Sequence, residues 1–435
     1  MKKIFIILLS IFFLNNNVLA VTLSEALIQA YKNNSVLNAE RENINISIEN
    51  LNISKSEFLP KITITGTKSR EDTNKLTNQS GGDATINDVN PLTKSLLIEQ
   101  TLYDGRGRNA DFEKNEIGIE LAKAKILKIE QETIYKAIEA YTGLIFAYKK
   151  LKINQNNVSL LDRQVETDKA RLERGQITIS DLAQSESSLA EATAKFIEAR
   201  NNVMTNSLIY ENVIGAIINP NDLNEKLNLN IVIPSSLNDA NEISKKNNPN
   251  LIISKLEYQQ SEKDIKISKS EMLPTASLSF EASQIEDLSS TYNEKDKKTL
   301  KATIKWPFYT GGKNRATVNK NKRIKNQKRL LLDNSIKTNN TNVASAWSNF
   351  KSSKSLLDSV RSQVKASEIA NEGITVEYES GTGRSTLDLI QSNTLLLNSK
   401  ISLANSERNY LLSQFKLLQS IGLLTLDHLQ INWLN

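Results

Sequence analysis

One proline-free stretch, from Asp104 to Gly215, decides the fold, and its middle part reads Ile134-Tyr-Lys-Ala-Ile-Glu-Ala-Tyr-Thr-Gly-Leu-Ile-Phe-Ala-Tyr148. Apolar residues recur in this run at steps of four and three, which is the spacing of a coiled-coil seam. The rhythm resumes further along the chain, at Leu151, Val158, Leu161, Val165 and Leu172. The pattern predicts one helix from about Asp104 to Leu172, on the order of 100 Å long, which is longer than a globular core requires.

This helix is predicted to turn back on itself between Arg171 and Asp181. Gly175 suits the end of the outgoing helix, and Asp181, with Gln184 three residues later, suits the N-cap box of the returning helix. The returning helix alternates large with small residues at heptad spacing. The large residues are Leu189, Phe196, Val203 and Tyr210, and the small ones are Ser185, Ala192, Ala199 and Asn206. This alternation predicts close packing between neighbouring helices.

The same face recurs 207 positions later, which indicates that the chain is a duplication. There Leu396, Leu403, Tyr410 and Leu417 alternate with Ser392, Ser399, Ser406 and Ser413. The segment Ser54-Lys-Ser-Glu-Phe-Leu-Pro60 is likewise matched by Ser268-Lys-Ser-Glu-Met-Leu-Pro274. In each half, two segments of alternating apolar and polar residues follow and predict strands, at about 61–70, 94–103, 275–285 and 299–309.

The expected organisation is a signal peptide, two repeats and a tail. Residues 1–20 combine a basic start, an apolar run and the cleavage sequence Val18-Leu-Ala20, which is typical of a signal peptide. The first repeat covers 21–218 with a helical hairpin at 104–215, a linker covers 219–241, the second repeat covers 242–422 with a hairpin at 312–422, and the tail covers 423–435. No later apolar run approaches the roughly 18 residues of a membrane-spanning helix, so membrane attachment is expected to come from the strands.

Strands with one apolar and one polar face are typical of a transmembrane β-barrel, in which Trp306, Phe308 and Tyr309 would contribute to an aromatic girdle. Four strands cannot close a barrel, and open strand edges are not tolerated in lipid. We therefore expect an α+β membrane protein in which three chains build a twelve-stranded barrel that continues into a barrel of helices. The polar face would line the lumen with Glu99, Glu281, Lys301 and Lys305.

The chain resembles the TolC family of outer-membrane efflux and secretion channels over nearly its whole length. The resemblance rests on the strand-to-helix turn Trp306-Pro-Phe-Tyr-Thr-Gly-Gly312, the pair Ala140-Tyr141, and the turns that end at Asp181 and Asp388. It implies a homotrimer in outer-membrane lipid with a periplasmic helical barrel. It also implies an exit duct of a tripartite efflux pump or type I secretion system, which works with a periplasmic adaptor and an inner-membrane transporter of the ABC, RND or MFS type.

The resemblance further implies a gate at the periplasmic turns. Ser180 and Asp181 match the family's first inner-turn pair, whose acid joins the polar network of the closed entrance. The second turn contributes Tyr378, Gly381, Arg384, Asp388 and Gln391. Three copies of Asp388 would form a ring that attracts cations, whereas Gln391 stands where the family has a second acid. Gly175 and Gly381 mark the turns expected to dock the adaptor.

The second turn is one residue longer than the first, which leaves the register of Arg384 open. Asp181 and Asp388 also fit a purely structural role as helix N-caps, Tyr378 fits one in packing the turn, and Arg384 fits a solvated one.

Other classes of function find less support in the sequence. The basic residues between Lys313 and Arg329 suit a solvated helix face in an exported chain better than a nucleic-acid site. No arrangement of residues suggests an enzyme, a cofactor or a metal site, and His428 is the only histidine. A secreted coiled-coil fibre is the main alternative, but it does not require four strands placed between helices. A periplasmic adaptor would show one hairpin inside β-rich domains. The substrate cannot be read from the sequence.

Overall fold

The computed structural model describes residues 21–74, 80–82, 88–224, 231–289, 292–381 and 383–431. The predicted signal peptide lies outside these residues, as do part of the linker and the last four residues of the tail. Within the described part of the chain, no helix is both long enough and apolar enough to span a membrane.

The same order of elements occurs twice: two shorter helices, two strands and two long helices. The first set is α1 (Leu23–Asn33), α2 (Ser35–Ser56), β1 (Lys61–Lys68), β2 (Leu92–Tyr103), α3 (Gly107–Glu173) and α4 (Ile179–Ile214). The second set is α5 (Leu237–Asn247), α6 (Pro249–Ser270), β3 (Thr275–Glu286), β4 (Glu294–Lys305), α7 (Lys313–Glu379) and α8 (Thr386–Ser420). A short 3-10 helix, Pro220–Asp222, lies between them. The described residues form two compact units, one within 1–38, 129–247 and 341–435 and the other within 39–128 and 248–340.

The shorter helices begin where side chains satisfy free backbone N–H groups. Thr22 and Glu25 form a capping box at the start of α1, as the sequence indicates. Asn34 then adopts an extended conformation that separates α1 from α2, and its side chain accepts a hydrogen bond of 2.8 Å from the Leu37 N–H. Asn248 caps α6 in the same manner. Each asparagine therefore ends one helix and starts the next.

The unit that contains the hairpin turns has an apolar core where α1, α4, α8 and the middle of α3 meet. Its largest fully buried side chains include Leu27, Ile138, Tyr141, Tyr210 and Phe415. The Tyr141 hydroxyl lies 2.8 Å and 2.9 Å from the carbonyl oxygens of Val21 and Asn224. Tyr141 thus connects the residues that precede α1 with the segment that follows α4.

Small residues set the packing between the long helices. Ser185, Ala192 and Ala199 of α4 are almost fully buried, as are Ser392, Ser399 and Ser406 of α8. In the second hairpin, serines at this spacing bond across the seam: the hydroxyls of Ser353 and Ser413 are 2.8 Å apart, and those of Ser367 and Ser399 are 3.2 Å apart. The small residues are therefore points of closest approach, and some also supply interhelical hydrogen bonds.

The other unit contains a four-stranded antiparallel sheet in the order β1-β2-β3-β4. One face carries the apolar side chains Ile62, Ile64, Leu96, Ile98, Leu278, Phe280, Leu300 and Ile304. Many of these are exposed, among them Ile64 at 82% and Ile304 at 80%. In the strand register, residues directly opposite one another share a face, and Glu99, Glu281, Lys301 and Lys305 all fall on the polar face.

The fourth strand differs from the prediction. It spans Glu294–Lys305 and not 299–309, and it is joined to β3 by a short hairpin. Pro307 has no N–H to donate to a ladder, which explains why pairing ends at Lys305. Trp306, Phe308 and Tyr309 therefore lie just beyond the strand, where all three side chains are exposed.

Ion pairs join the helices of this unit. Lys114 of α3 pairs with Asp264 of α6 at 2.7 Å. Part of the basic run on α7 also faces α6, since Lys325 pairs with Glu262 at 2.8 Å and Lys328 with Glu257 at 2.7 Å. That run is thus partly a helix-packing surface, in addition to the solvated face expected from the sequence.

A matched pair of glycines tests the strand-to-helix turns. Gly105 and Gly311 occupy corresponding turns and both have positive φ, at 69° and 64°. A Cβ at Gly105 would lie 2.8 Å from the Leu273 Cβ and 2.9 Å from the Ser270 carbonyl oxygen, whereas Gly311 has open space. Gly311→Ala should lower the free energy of unfolding only by the energy needed to hold alanine in the left-handed conformation, about 1–2 kcal/mol. Gly105→Ala should cost clearly more, seen as a larger fall in melting temperature by circular dichroism. Equal falls would contradict the close approach.

Candidate functional site

The candidate site lies at the two turns that join α3 to α4 and α7 to α8. Helix α3 ends in a Schellman motif, in which the Gly175 N–H donates to the Leu172 carbonyl and the Gln176 N–H donates to the Arg171 carbonyl, both at 2.9 Å. Gly175 has a φ of 68°, a conformation that favours glycine. Gly381 ends α7 with a φ of 73°. Both glycines are exposed at the turns, where the sequence predicted adaptor docking.

The extra residue of the second turn is taken up before the cap of α8. Gly383 also has a positive φ, at 95°, and Arg384 follows it immediately before the cap residue Ser385. The Arg384 Nε lies 2.6 Å from Glu377 Oε2, so Arg384 forms an ion pair with its own hairpin.

The helix caps correct one expectation. The N-caps are Thr178 and Ser385, and Asp181 and Asp388 occupy the third helical position as the acids of two capping boxes. Each acid accepts a hydrogen bond from the backbone N–H and hydroxyl of its cap, at 2.8 to 3.0 Å. These hydrogen bonds lower the pKa of both carboxyls. The prediction that the acids are themselves N-caps was wrong because the cap lies three residues earlier.

A buried carboxylate, Asp168, joins the two hairpins. Its Oδ1 accepts hydrogen bonds from the Tyr378 hydroxyl at 2.6 Å and the Gln164 amide at 3.0 Å, and its Oδ2 accepts one from the Ser185 hydroxyl at 2.6 Å. Asp168 and Ser185 are fully buried. The Tyr378 hydroxyl also lies 3.3 Å from the Thr386 hydroxyl. Side chains from α3, α4, α7 and α8 therefore converge on one cluster, which we call the Asp168 cluster.

Arg171 closes one side of the Asp168 cluster. Its guanidinium carbon lies 4.3 Å from the centre of the Tyr378 ring, in the position of a cation–π contact. It also donates hydrogen bonds to the carbonyls of Tyr378 and Glu379, which are among the last of α7. A cation at a helix C-terminus is favourable because it meets the negative end of the helix dipole. Burial and the hydrogen bond to Asp168 raise the pKa of Tyr378.

The structure brings together only part of the predicted site. Tyr378 lies in the Asp168 cluster, whereas the hydrogen bonds of Asp181 go to Thr178. Ser180 and Gln391 are exposed on the first turns of α4 and α8. The residue that Tyr378 reaches is therefore Asp168, which is not among the residues predicted for the gate.

A signal for Asp168 was present in the heptad pattern. Leu161, Val165 and Leu172 follow the seam, and Asp168 fills the seam position between Val165 and Leu172. A charge at a seam position requires partners, because an unpaired buried carboxylate is costly. At the 206-position offset that relates Gly175 to Gly381, the counterpart of Asp168 is Ile374. Because the second repeat has no acid at this position, comparison of the two repeats does not point to Asp168.

Comparison with known proteins gives the family. The sequence profile described as outer membrane efflux protein matches residues 26–216 and 242–423, which is most of the chain and includes both repeats. The chain belongs to the outer membrane efflux protein family. This membership confirms the resemblance and the outer-membrane location expected from the sequence.

Individual relatives match most of this chain but are less than 30% identical to it in sequence. Outer membrane efflux protein BepC of Brucella suis is 27% identical over 412 residues, covering 94% of this chain and 87% of BepC. Outer membrane protein TolC of Escherichia coli is 22% identical over 426 residues, covering 92% of this chain and 83% of TolC. The solved CmeC outer membrane channel of Campylobacter jejuni has a TM-score of 0.79 at 16% identity, covering 92% of this chain and 85% of CmeC. The structural likeness shows a shared fold.

Replacing the buried acid should loosen the turns. Asp168→Asn keeps the shape but removes the charged acceptor of three hydrogen bonds, a change typically worth about 1.5–3 kcal/mol. Hydrogen exchange of peptides around 165–171 and 375–381 should quicken by roughly 10- to 100-fold. Asp181→Asn is the matched control and should affect only the start of α4. Unchanged exchange around Tyr378 in Asp168→Asn would show that the Asp168 cluster does not hold the hairpins together.

The capping boxes predict an acid sensitivity at the start of α8. Because the pKa of Asp388 is lowered, its stabilising effect is present at neutral pH and is lost as the pH falls below the ordinary value of 3.8 through the folded pKa. Hydrogen exchange of amides 386–389, corrected for intrinsic rates, should therefore be faster at pH 3 than at pH 7. Ser385→Ala should remove most of this pH dependence, and Thr178→Ala should leave it unchanged. Equal protection at both pH values would refute the effect.

Proposed function

We propose that three copies of this protein form an outer-membrane duct, with their sheets closed into a twelve-stranded barrel and their hairpins forming a helical barrel in the periplasm. The observation that carries the proposal is the sheet, whose apolar face has many exposed residues, including Ile62 and Leu300 at 65% and 71%. In the described part of the chain, β1 and β4 each pair on one side only. Both features suit strands that face lipid and pair with other copies.

The duct would be the exit stage of a tripartite efflux pump or a type I secretion system. Membership of the efflux family supports transport out of the cell, and BepC carries the word efflux in its name. A periplasmic adaptor would dock at the exposed turns around Gly175 and Gly381 and connect the duct to an inner-membrane transporter. A purely structural coiled-coil fibre would not require a sheet with an exposed apolar face.

The Asp168 cluster would hold the periplasmic entrance closed. It ties the end of α7 to the first hairpin through buried, charge-assisted hydrogen bonds, which are stronger than exposed ones. Release of Tyr378 from Asp168 would free the second hairpin to move away. The exposed Glu377–Arg384 ion pair lies within the turn that would move. Ser180, Asp181 and Gln391 would contribute to the polar rim of the entrance.

Three copies of Asp388 would form the acidic ring expected at this entrance. Asp388 is ionised at neutral pH, like any exposed aspartate, and hydrogen bonds from Ser385 lower its pKa further. A ring of fixed negative charges in a narrow opening attracts cations. Gln391, one turn further along α8, cannot add a second charged ring.

Single-channel recording in planar bilayers tests the duct and its gate. The wild type should conduct weakly, and Tyr378→Phe, which removes only the hydroxyl, should open more often by roughly tenfold, the usual effect of losing one hydrogen bond to a charged group. Asp168→Asn should behave similarly, and Asp388→Ala should reduce the preference for cations.

Tyr210→Phe is the matched control, because its hydroxyl lies in the core away from the turns. Conductance that is unchanged by Tyr378→Phe and Asp168→Asn would place the gate elsewhere. Trimeric protein that never conducts would refute the duct.

A further inference from the structure

The two faces of the sheet differ in charge as well as in polarity. In the strand register, the apolar face carries three lysines and three acids at the end of the sheet where β1 connects to β2 and β3 connects to β4: Lys68, Lys94, Lys298, Glu286, Glu294 and Asp296. These charges are partly paired, with Lys94 Nζ 2.7 Å from Glu286 Oε1. The apolar face is therefore formally neutral.

The polar face has an excess of positive charge. It carries five lysines and two acids, Lys61, Lys295, Lys297, Lys301, Lys305, Glu99 and Glu281, which gives a formal charge of +3 per chain. The remaining side chains of this face are mostly serine and threonine. The two acids that the sequence analysis placed in the lumen are thus outnumbered by lysines.

The lysines of β4 have no acid directly across the ladder. Lys295, Lys297, Lys301 and Lys305 lie opposite Ile285, Ser283, Ser279 and Thr275 of β3. Glu281 lies opposite Thr299 and Leu97, and Glu99 lies between Lys61 and Ser279. Because β4 is an edge strand, another copy would pair with it through β1, whose only charge on this face is Lys61. Assembly would not neutralise the lysines.

We infer that the lumen of the barrel attracts anions, and that the substrates this duct passes are anionic. The inference rests on the proposed function, since the polar face lines a lumen only if the sheets close into a barrel. Three copies would bring their charges together in a narrow enclosure with low-dielectric walls. Such an enclosure focuses the field and enriches counter-ions by about tenfold or more. The barrel would then have the opposite preference to the Asp388 ring.

Reversal potentials in planar bilayers test this charge preference. All proteins carry Asp388→Asn, so that the acidic ring does not determine whether cations or anions are preferred. In a potassium chloride gradient this protein should favour chloride. Adding Lys297→Gln, Lys301→Gln and Lys305→Gln leaves two lysines and two acids on the face and should bring the permeability ratio close to one. Lys298→Gln, in the same strand but on the other face, is the control and should keep the chloride preference.

The outcomes distinguish a failure of the inference from a failure of the proposed function. A preference for potassium, or a chloride preference that survives the three glutamines, would overturn the inference while leaving the duct in place. The absence of channels in every form would overturn the duct, and the inference with it.

Single cysteines provide a second measurement that does not depend on conductance. The chain contains no cysteine, so Lys301→Cys and Leu300→Cys each place one thiol on an opposite face of β4. In proteoliposomes, Lys301→Cys should react with membrane-impermeant methanethiosulfonates, and faster with the anionic than with the cationic reagent. Leu300→Cys should be protected by lipid. Faster reaction with the cationic reagent would overturn the anion preference, and reaction at Leu300→Cys alone would reverse the proposed orientation of the sheet.

Discussion

Close approach between long helices is the constraint on which much of this structure depends. The long helices can run side by side because residues such as Ala192, Ala199 and Ser399 are buried and too small to hold the backbones apart. The serines of the second seam also bond to one another, so that polar side chains are satisfied where water is excluded.

The turns show how a duplicated chain becomes asymmetric. Gly175 and Gly381 end equivalent helices, and Asp181 and Asp388 complete equivalent capping boxes. Asp168, however, corresponds to an isoleucine in the second repeat, and Tyr378 corresponds to Leu172. The contact between hairpins therefore uses the positions at which the repeats differ. Two copies of either repeat would lack this buried bond, because the first repeat has Leu172 at the Tyr378 position and the second has Ile374 at the Asp168 position.

The two faces of the sheet suit different surroundings. The apolar face suits lipid, and its few charges are balanced, whereas the polar face combines hydroxyl side chains with an excess of lysine. A charged lumen and an oppositely charged entrance would sort substrates at two points along one path.

The sequence by itself determined the duplication, the element order, the two long hairpins and the family resemblance, because helix and strand periods are local properties of the chain. The bounds predicted for the fourth strand and the residues predicted to cap α4 and α8 were wrong. Only the tertiary structure decided that Tyr378 meets Asp168 and that the β4 lysines have no acids opposite them. The first fact depends on a contact between residues 210 positions apart, and the second depends on the register of β4 against β3. A periodic pattern gives the face on which a residue lies, whereas packing and strand register decide what it touches.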